Sequence, residues 1–67
     1  MKHIWKVTVR FQEDIEGESC DDWDVFNVEA ANDVDARKEG IKCAKQKYNE
    51  NIQVQYAEIE HVLEVDN

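Results

Sequence analysis

From His3 to Gln12 apolar and polar positions alternate. His3, Trp5, Val7, Val9 and Phe11 share one parity, and Lys6, Thr8, Arg10 and Gln12 share the other, which Ile4 interrupts. Successive side chains of an extended chain point to opposite faces, so this pattern predicts a half-buried strand. Trp23–Ala30 repeats the signal. Phe26, Val28 and Ala30 fall on one face, and Trp23, Val25, Asn27 and Glu29 on the other. Between the two runs lie Glu13, Asp14, Glu16, Gly17, Glu18, Asp21 and Asp22. Such a density of like charge repels itself, so residues 13–22 are expected to form a solvated acidic loop joining two antiparallel strands.

The period changes after Ala30. Asn32 suits a helix N-cap, and Asp35 stands three residues on, like the acid of a capping box. Asp33 and Asp35 also complement the positive end of the helix dipole. Ala36, Gly40, Ile41, Ala44 and Tyr48 then form one stripe, with Asp35, Lys38, Glu39, Lys42, Lys45, Gln46 and Asn49 opposite. The pattern predicts a helix over Asp33–Tyr48. Glycine inside a helix costs ~1 kcal/mol against alanine, so Gly40 on the buried stripe predicts close approach of helix backbone to sheet. Ile52–Val65 reads as a third strand. Its apolar parity switches at Tyr56–Ala57, which requires a bulge or bend there. A right-handed crossover from the second strand, passing over the first, sets the third beside the first. The expected fold is α+β: a three-stranded antiparallel sheet, β-β-α-β in order 2-1-3, with one helix on one face.

At 67 residues the chain is one small domain, 1–67. The longest apolar run is far short of the ~18 residues a membrane span needs, and the alternating start lacks the core of a secretory signal. Two cysteines, Cys20 and Cys43, are fewer than a small secreted scaffold carries. Free thiols in a cytoplasmic protein are expected. Neither Ser19 nor Cys20 has a histidine near it in sequence, and His3 and His61 read as structural, so no enzyme, catalytic residue or cofactor is expected. Aligning Gly17 with the glycine of a calcium-binding EF-hand loop puts Gln12 and Trp23 where carboxylates are required, so that motif fails. Glu16, Glu18, Asp21 and Asp22 offer only a loose divalent site. His3, Cys20, Cys43 and His61 lack the short paired spacing of zinc ligands.

Charge changes the picture most. The net charge is -8. Residues 33–49 carry +2 and the rest of the chain -10. Lys38, Lys42 and Lys45 form a helical stripe for which Asp35–Lys38 and Glu39–Lys42 are the expected partners. Direct nucleic-acid binding would work against the whole-molecule charge. The acidic remainder fits a basic protein surface instead, with Glu16, Glu18, Asp21, Asp22, Glu58 and Glu60 as the expected contacts. Alternate strand residues repeat at ~6.7 Å, close to two nucleotide steps of ~3.4 Å, so Glu58, Glu60 and Glu64, a parity that Val62 breaks, can with the loop imitate a phosphate track. A single helix covers one sheet face. Ile4, Trp23, Val25 and Val62 on the other offer a homodimer face, and contiguous apolar patches usually mark contacts.

The segment Phe26–Ala44, F-N-V-E-A-A-N-D-V-D-A-R-K-E-G-I-K-C-A, leaves a strand and enters a helix through a polar cap. With its flanking strands it resembles small β-β-α-β proteins of bacteriophages and mobile elements, several anti-CRISPR proteins among them. The resemblance implies a phage-type inhibitor that binds host machinery, some of whose relatives occupy nucleic-acid-binding surfaces. It transfers no individual residue. Two readings follow: a non-enzymatic acidic protein in the host cytoplasm that covers a basic, nucleic-acid-binding surface, or a homodimeric structural or assembly protein whose acidity serves solubility.

Overall fold

The structure is a computed structural model that describes residues 2–65, with side chains from His3 to Glu64. Its elements are β1 (Lys2–Ile15), β2 (Glu18–Ala30), α1 (Asp33–Lys47) and β3 (Gln53–Val65). The sheet is antiparallel in the order β2-β1-β3, as the crossover argument requires.

The first correction concerns residues 13–22. They are not a loop. Glu13–Ile15 continue β1 and Glu18–Asp22 begin β2, so the hairpin closes through Glu16 and Gly17 alone. Both turn residues have positive φ, 53° and 81°. A two-residue turn of that hand matches the natural twist of the strands it joins. Charge repulsion fails to open this end because of the register. Glu13 faces Cys20, Asp14 faces Ser19, Ile15 faces Glu18, Gln12 faces Asp21 and Phe11 faces Asp22. No acid stands directly opposite another, and directly opposed like charges are what destabilise a strand pair. Ser19 Oγ also donates to Asp14 Oδ1 at 3.0 Å.

The buried core is Val7, Val9, Phe11, Val28, Ala36, Ala44 and Ile52. β1 supplies the middle of it, and α1 lies across the face that Trp5, Val7, Val9 and Phe11 share. The helix buries only small residues, Ala36, Gly40 and Ala44, so its backbone comes close to the sheet. A Cβ built on Gly40 would lie 2.6 Å from Val7 Cβ. That is the close approach expected from a glycine on the buried stripe. Asn32 caps the helix as expected: its Oδ1 accepts from Asp35 N at 2.9 Å, and its Nδ2 donates to Asp35 Oδ2 at 3.3 Å. Tyr48 is the C-cap, its N–H bonded to Ala44 O.

β3 carries two irregularities where one was expected. Phe11 pairs with Val54 and Arg10 with Tyr56, so Gln55 is the extra residue, just before the expected Tyr56–Ala57 switch. Trp5 pairs with His61 and Ile4 with Leu63, which leaves Val62 as a second extra residue. The second bulge moves Leu63 from the helix-side parity to the open face.

The long axis measures 47 Å, and the radius of gyration is 13.0 Å. About 11 Å is usual for a chain this length. The excess comes from the hairpin. β3 starts opposite Gln12, so over residues 13–20 the two strands project as a ribbon with no third strand beside them.

Candidate functional site

The projecting ribbon is an acidic arm. With its base, where Asp21 and Asp22 pair with Gln12 and Phe11, residues 13–22 hold six carboxylates, Glu13, Asp14, Glu16, Glu18, Asp21 and Asp22, and no Lys or Arg. All six but the half-buried Glu13 are exposed. Strand alternation divides them. Glu13, Glu18 and Asp22 lie on the face that continues the helix side of the sheet, with exposed Ile15 among them. Asp14 and Asp21 lie on the opposite face, and Glu16 sits at the tip. An unstructured acidic loop would have presented the same charge at no fixed spacing; the ribbon holds it at ~6.7 Å steps.

The open face is built in rows across β2, β1 and β3. Glu29, Ile4 and Leu63 form one row; Asn27, Lys6 and Glu60 the next; Val25, Thr8 and Glu58 a third; and Trp23, Arg10 and Tyr56 a fourth. Ile4, Trp23 and Val25 therefore share this face as expected, whereas Val62 is a bulge residue and Leu63 stands across from Ile4. Trp23 is 59% exposed and Tyr56 49%. The six expected contact carboxylates do not converge. Asp21, Glu58 and Glu60 share the open face, with Asp21 two rows beyond Glu58. Glu18 and Asp22 point to the helix side, and Glu16 is at the tip.

Both sheet edges resist an added strand. On the β2 edge, Trp23 N donates to Asp22 Oδ1 at 2.8 Å and Val25 N to Asp24 Oδ1 at 2.7 Å. Each aspartate occupies the amide that an incoming strand would need. On the β3 edge the bulges at Gln55 and Val62 interrupt the ladder. Charged side chains and bulges are the usual means by which edge strands avoid pairing with other chains.

Two side-chain clusters were not legible in the sequence. Asp24 Oδ2 accepts from Lys47 Nζ at 2.6 Å and from Tyr48 OH at 2.5 Å, fastening the end of α1 to β2. Those two bonds, with one from Val25 N, lower the Asp24 carboxyl from 3.8 to about 2. The same carboxylate raises Lys47 and Tyr48 above their ordinary values. At the other end of the sheet, His3 Nδ1 lies 3.1 Å from His61 Nε2 and 3.6 Å from Glu64 Oε1. The His61 ring meets Trp5 edge-on at 4.8 Å, and Trp5 Nε1 donates to Ala30 O. The first and last strands bring these groups together because Trp5 pairs with His61, in the register that follows the bulge at Gln55, and the unforeseen bulge at Val62 sets Glu64 opposite His3.

Ser19 and Cys20 belong to the arm, remote from both histidines, and no group of three or more metal-ligating side chains forms among the described residues. Glu18 and Asp22 point away from Asp21, so the loose divalent set does not assemble. Both cysteines are free, Cys20 exposed and Cys43 half-buried against the core. Cys20→Ser is accordingly expected to shift stability by less than ~0.5 kcal/mol in urea denaturation, as at surface positions generally. Among the described residues no helix is long and apolar enough to cross a membrane.

The lysine stripe also departs from expectation. Asp35 is engaged by Asn32, and neither Asp35–Lys38 nor Glu39–Lys42 closes as an ion pair. Arg37, Lys38, Lys42 and Lys45 are exposed and make no ion pair among the described residues. The chain matches no protein-family model, no curated protein and no solved structure.

Proposed function

We propose that the protein is a non-enzymatic binding protein whose acidic arm enters a basic cleft on a host protein and excludes nucleic acid from it. The observation that carries this reading is the arm itself: four carboxylates, Glu13, Asp14, Glu16 and Glu18, and no cation on a hydrogen-bonded ribbon beyond the third strand, with Asp21 and Asp22 at its base. Ordering a flexible loop on binding costs free energy that a preformed ribbon does not lose. Opposed charges accelerate encounter, and the effect fades as salt shortens the screening length to ~8 Å at physiological strength. Asp21, Glu58 and Glu60 extend acidity along the open face behind the arm. A phage-type inhibitor acting in the host cytoplasm fits this mode. The partner is a nucleic-acid-binding protein or complex, not nucleic acid itself and not a membrane.

The test is affinity capture from bacterial lysate at low salt, using the natural chain beside a chain carrying Asp21→Lys and Asp22→Lys. The expected partner binds the natural chain, is released by competing nucleic acid, and associates at least about tenfold more slowly with the reversed arm. Melting should change little, because both aspartates are exposed and outside the core. A partner held equally well by both chains, and indifferent to salt, would defeat the electrostatic mechanism. Association would then be assigned to the row in which Arg10 stands between the exposed rings of Trp23 and Tyr56.

A further inference from the structure

The outer flank of α1 carries a trough. Two shallow depressions, of about 470 and 210 Å³, share Lys38 and Ile41 and run together along the helix. Val34 and Ile41 line the floor, with Ile59 of β3 beside them; Arg37, Lys38, Lys42 and Lys45 make the rim mainly basic, with Asp33 and Glu50 at its two ends. Val34 is 60% exposed, so an apolar surface stands open between cations that make no ion pair among the described residues. From Val34 to Lys45 the trough is about 17 Å long at 1.5 Å per residue.

The arm has the complementary features. Its helix-side face presents Ile15, 51% exposed, among Glu13, Glu18 and Asp22. This face continues the one that α1 covers further along the sheet, but it lies beyond the end of the helix. The part of it clear of the core, from Glu13 to Ile15, extends about 7 Å at 3.3 Å per residue. An acid-flanked isoleucine thus matches in charge, and fits within the length of, a lysine-rimmed trough floored by Val34 and Ile41. The arm cannot reach its own trough: α1 already lies against the sheet, and the trough is on its outer side.

We infer that the occupant of the trough is the acidic arm of a second copy of this chain. The contact is heterologous, arm to helix, and repeats from molecule to molecule unless a ring closes it. It is small, and weak by the standard of stable interfaces. It shares the arm with the function proposed above but not the partner. In self-associated chains the arm is covered, so a basic host surface and a second copy compete for it.

Charge exchange tests this. One chain carries Glu16→Lys with Glu18→Lys, and the other Lys42→Glu with Lys45→Glu. All four positions are exposed, and unchanged circular dichroism and melting establish that both fold. In sedimentation at about 0.1–1 mM, the natural chain is expected to self-associate, with its association constant falling at least about tenfold between 50 and 500 mM salt. Each reversed chain alone should remain monomeric, since it opposes like charges. Mixing the two should restore association, because the exchanged arm and exchanged helix attract. A natural chain that stays monomeric at low salt overturns the inference. So does self-association that survives both reversals, which would move the interface to the open sheet face. The Lys42→Glu, Lys45→Glu chain retains its acidic arm, so capture of a host partner by that chain reports on the proposed function independently.

Discussion

Gly40→Ala is expected to destabilise the protein by about 3 kcal/mol, near the upper end for overpacking, although alanine is the better helix former by ~1 kcal/mol. The sign follows from space. The added Cβ would lie 2.6 Å from Val7 Cβ and 3.1 Å from its Cγ2, and Val7 is fully buried at the centre of the sheet. A Cβ cannot swing aside as the end of a long side chain can. Relief requires the helix to lift from the sheet, and that loosens Ala36 and Ala44 as well. Domains of this size have roughly 3–10 kcal/mol in total, so the loss should be visible as a large drop in the urea midpoint. Val7→Ala in the same chain should return part of it, giving a favourable coupling between two changes that are each destabilising alone. A Gly40→Ala protein as stable as the natural one would mean that the helix does not ride on Val7.

Asp24→Ala is the second large effect, expected at about 2 kcal/mol, within the range for hydrogen bonds to a charged group. Asp24 is 21% exposed and Lys47 58%, so solvent screens the lysine contact and the Tyr48 bond supplies most of the loss. The variant should also change the pH profile. The Asp24 carboxyl lies at about 2 in the folded protein against 3.8 ordinarily. A depressed carboxyl stabilises the fold above its unfolded value, and that contribution is lost as pH falls from about 4 towards 2. Melting followed through this window should show an acid-side decline in the natural chain that is smaller in Asp24→Ala. Parallel curves would assign the acid sensitivity to other carboxylates. Tyr48→Phe, which keeps the ring packed on Phe11 at 4.8 Å, isolates the hydroxyl.

Periodicity disclosed most of the fold because each element buries one regular face. Val7, Val9 and Phe11 repeat at two, and Ala36, Gly40 and Ala44 at four; a single core explains both. The arm was misread for a physical reason. Its strands bury no apolar face, so they leave no alternation to detect, and their order comes from backbone pairing and from the acid-to-neutral register. That register is a property of two segments together and cannot be seen in either. Glu16–Gly17 is also a weaker turn signal than Asn-Gly. The bulge at Val62 was equally hidden, since Ala57, Ile59, His61 and Leu63 keep one parity in sequence while Leu63 crosses to the open face. The acidic residues proposed as contacts were legible as a composition but not as a surface: alternation sends Glu18 and Asp22 one way and Asp21 the other. Asp24, Lys47 and Tyr48 gave no local signal, because their contact spans more than twenty residues of sequence.

The acid-to-neutral pairing of the arm also acts as a proofreader during folding. If β2 slid by one position against β1, Glu13 would meet Asp21 or Asp14 would meet Glu18. If it slid by two, Glu13 would meet Glu18, or Asp14 would meet Asp21. Each mis-threaded hairpin opposes carboxylates that the correct one keeps apart, so the charges that add nothing to the core still penalise incorrect alignments. An arm that buries no apolar residue to fix its alignment is thereby threaded by repulsion. Concentrated salt, which weakens that repulsion, removes the distinction between the right hairpin and its neighbours before it reaches the buried centre of the sheet.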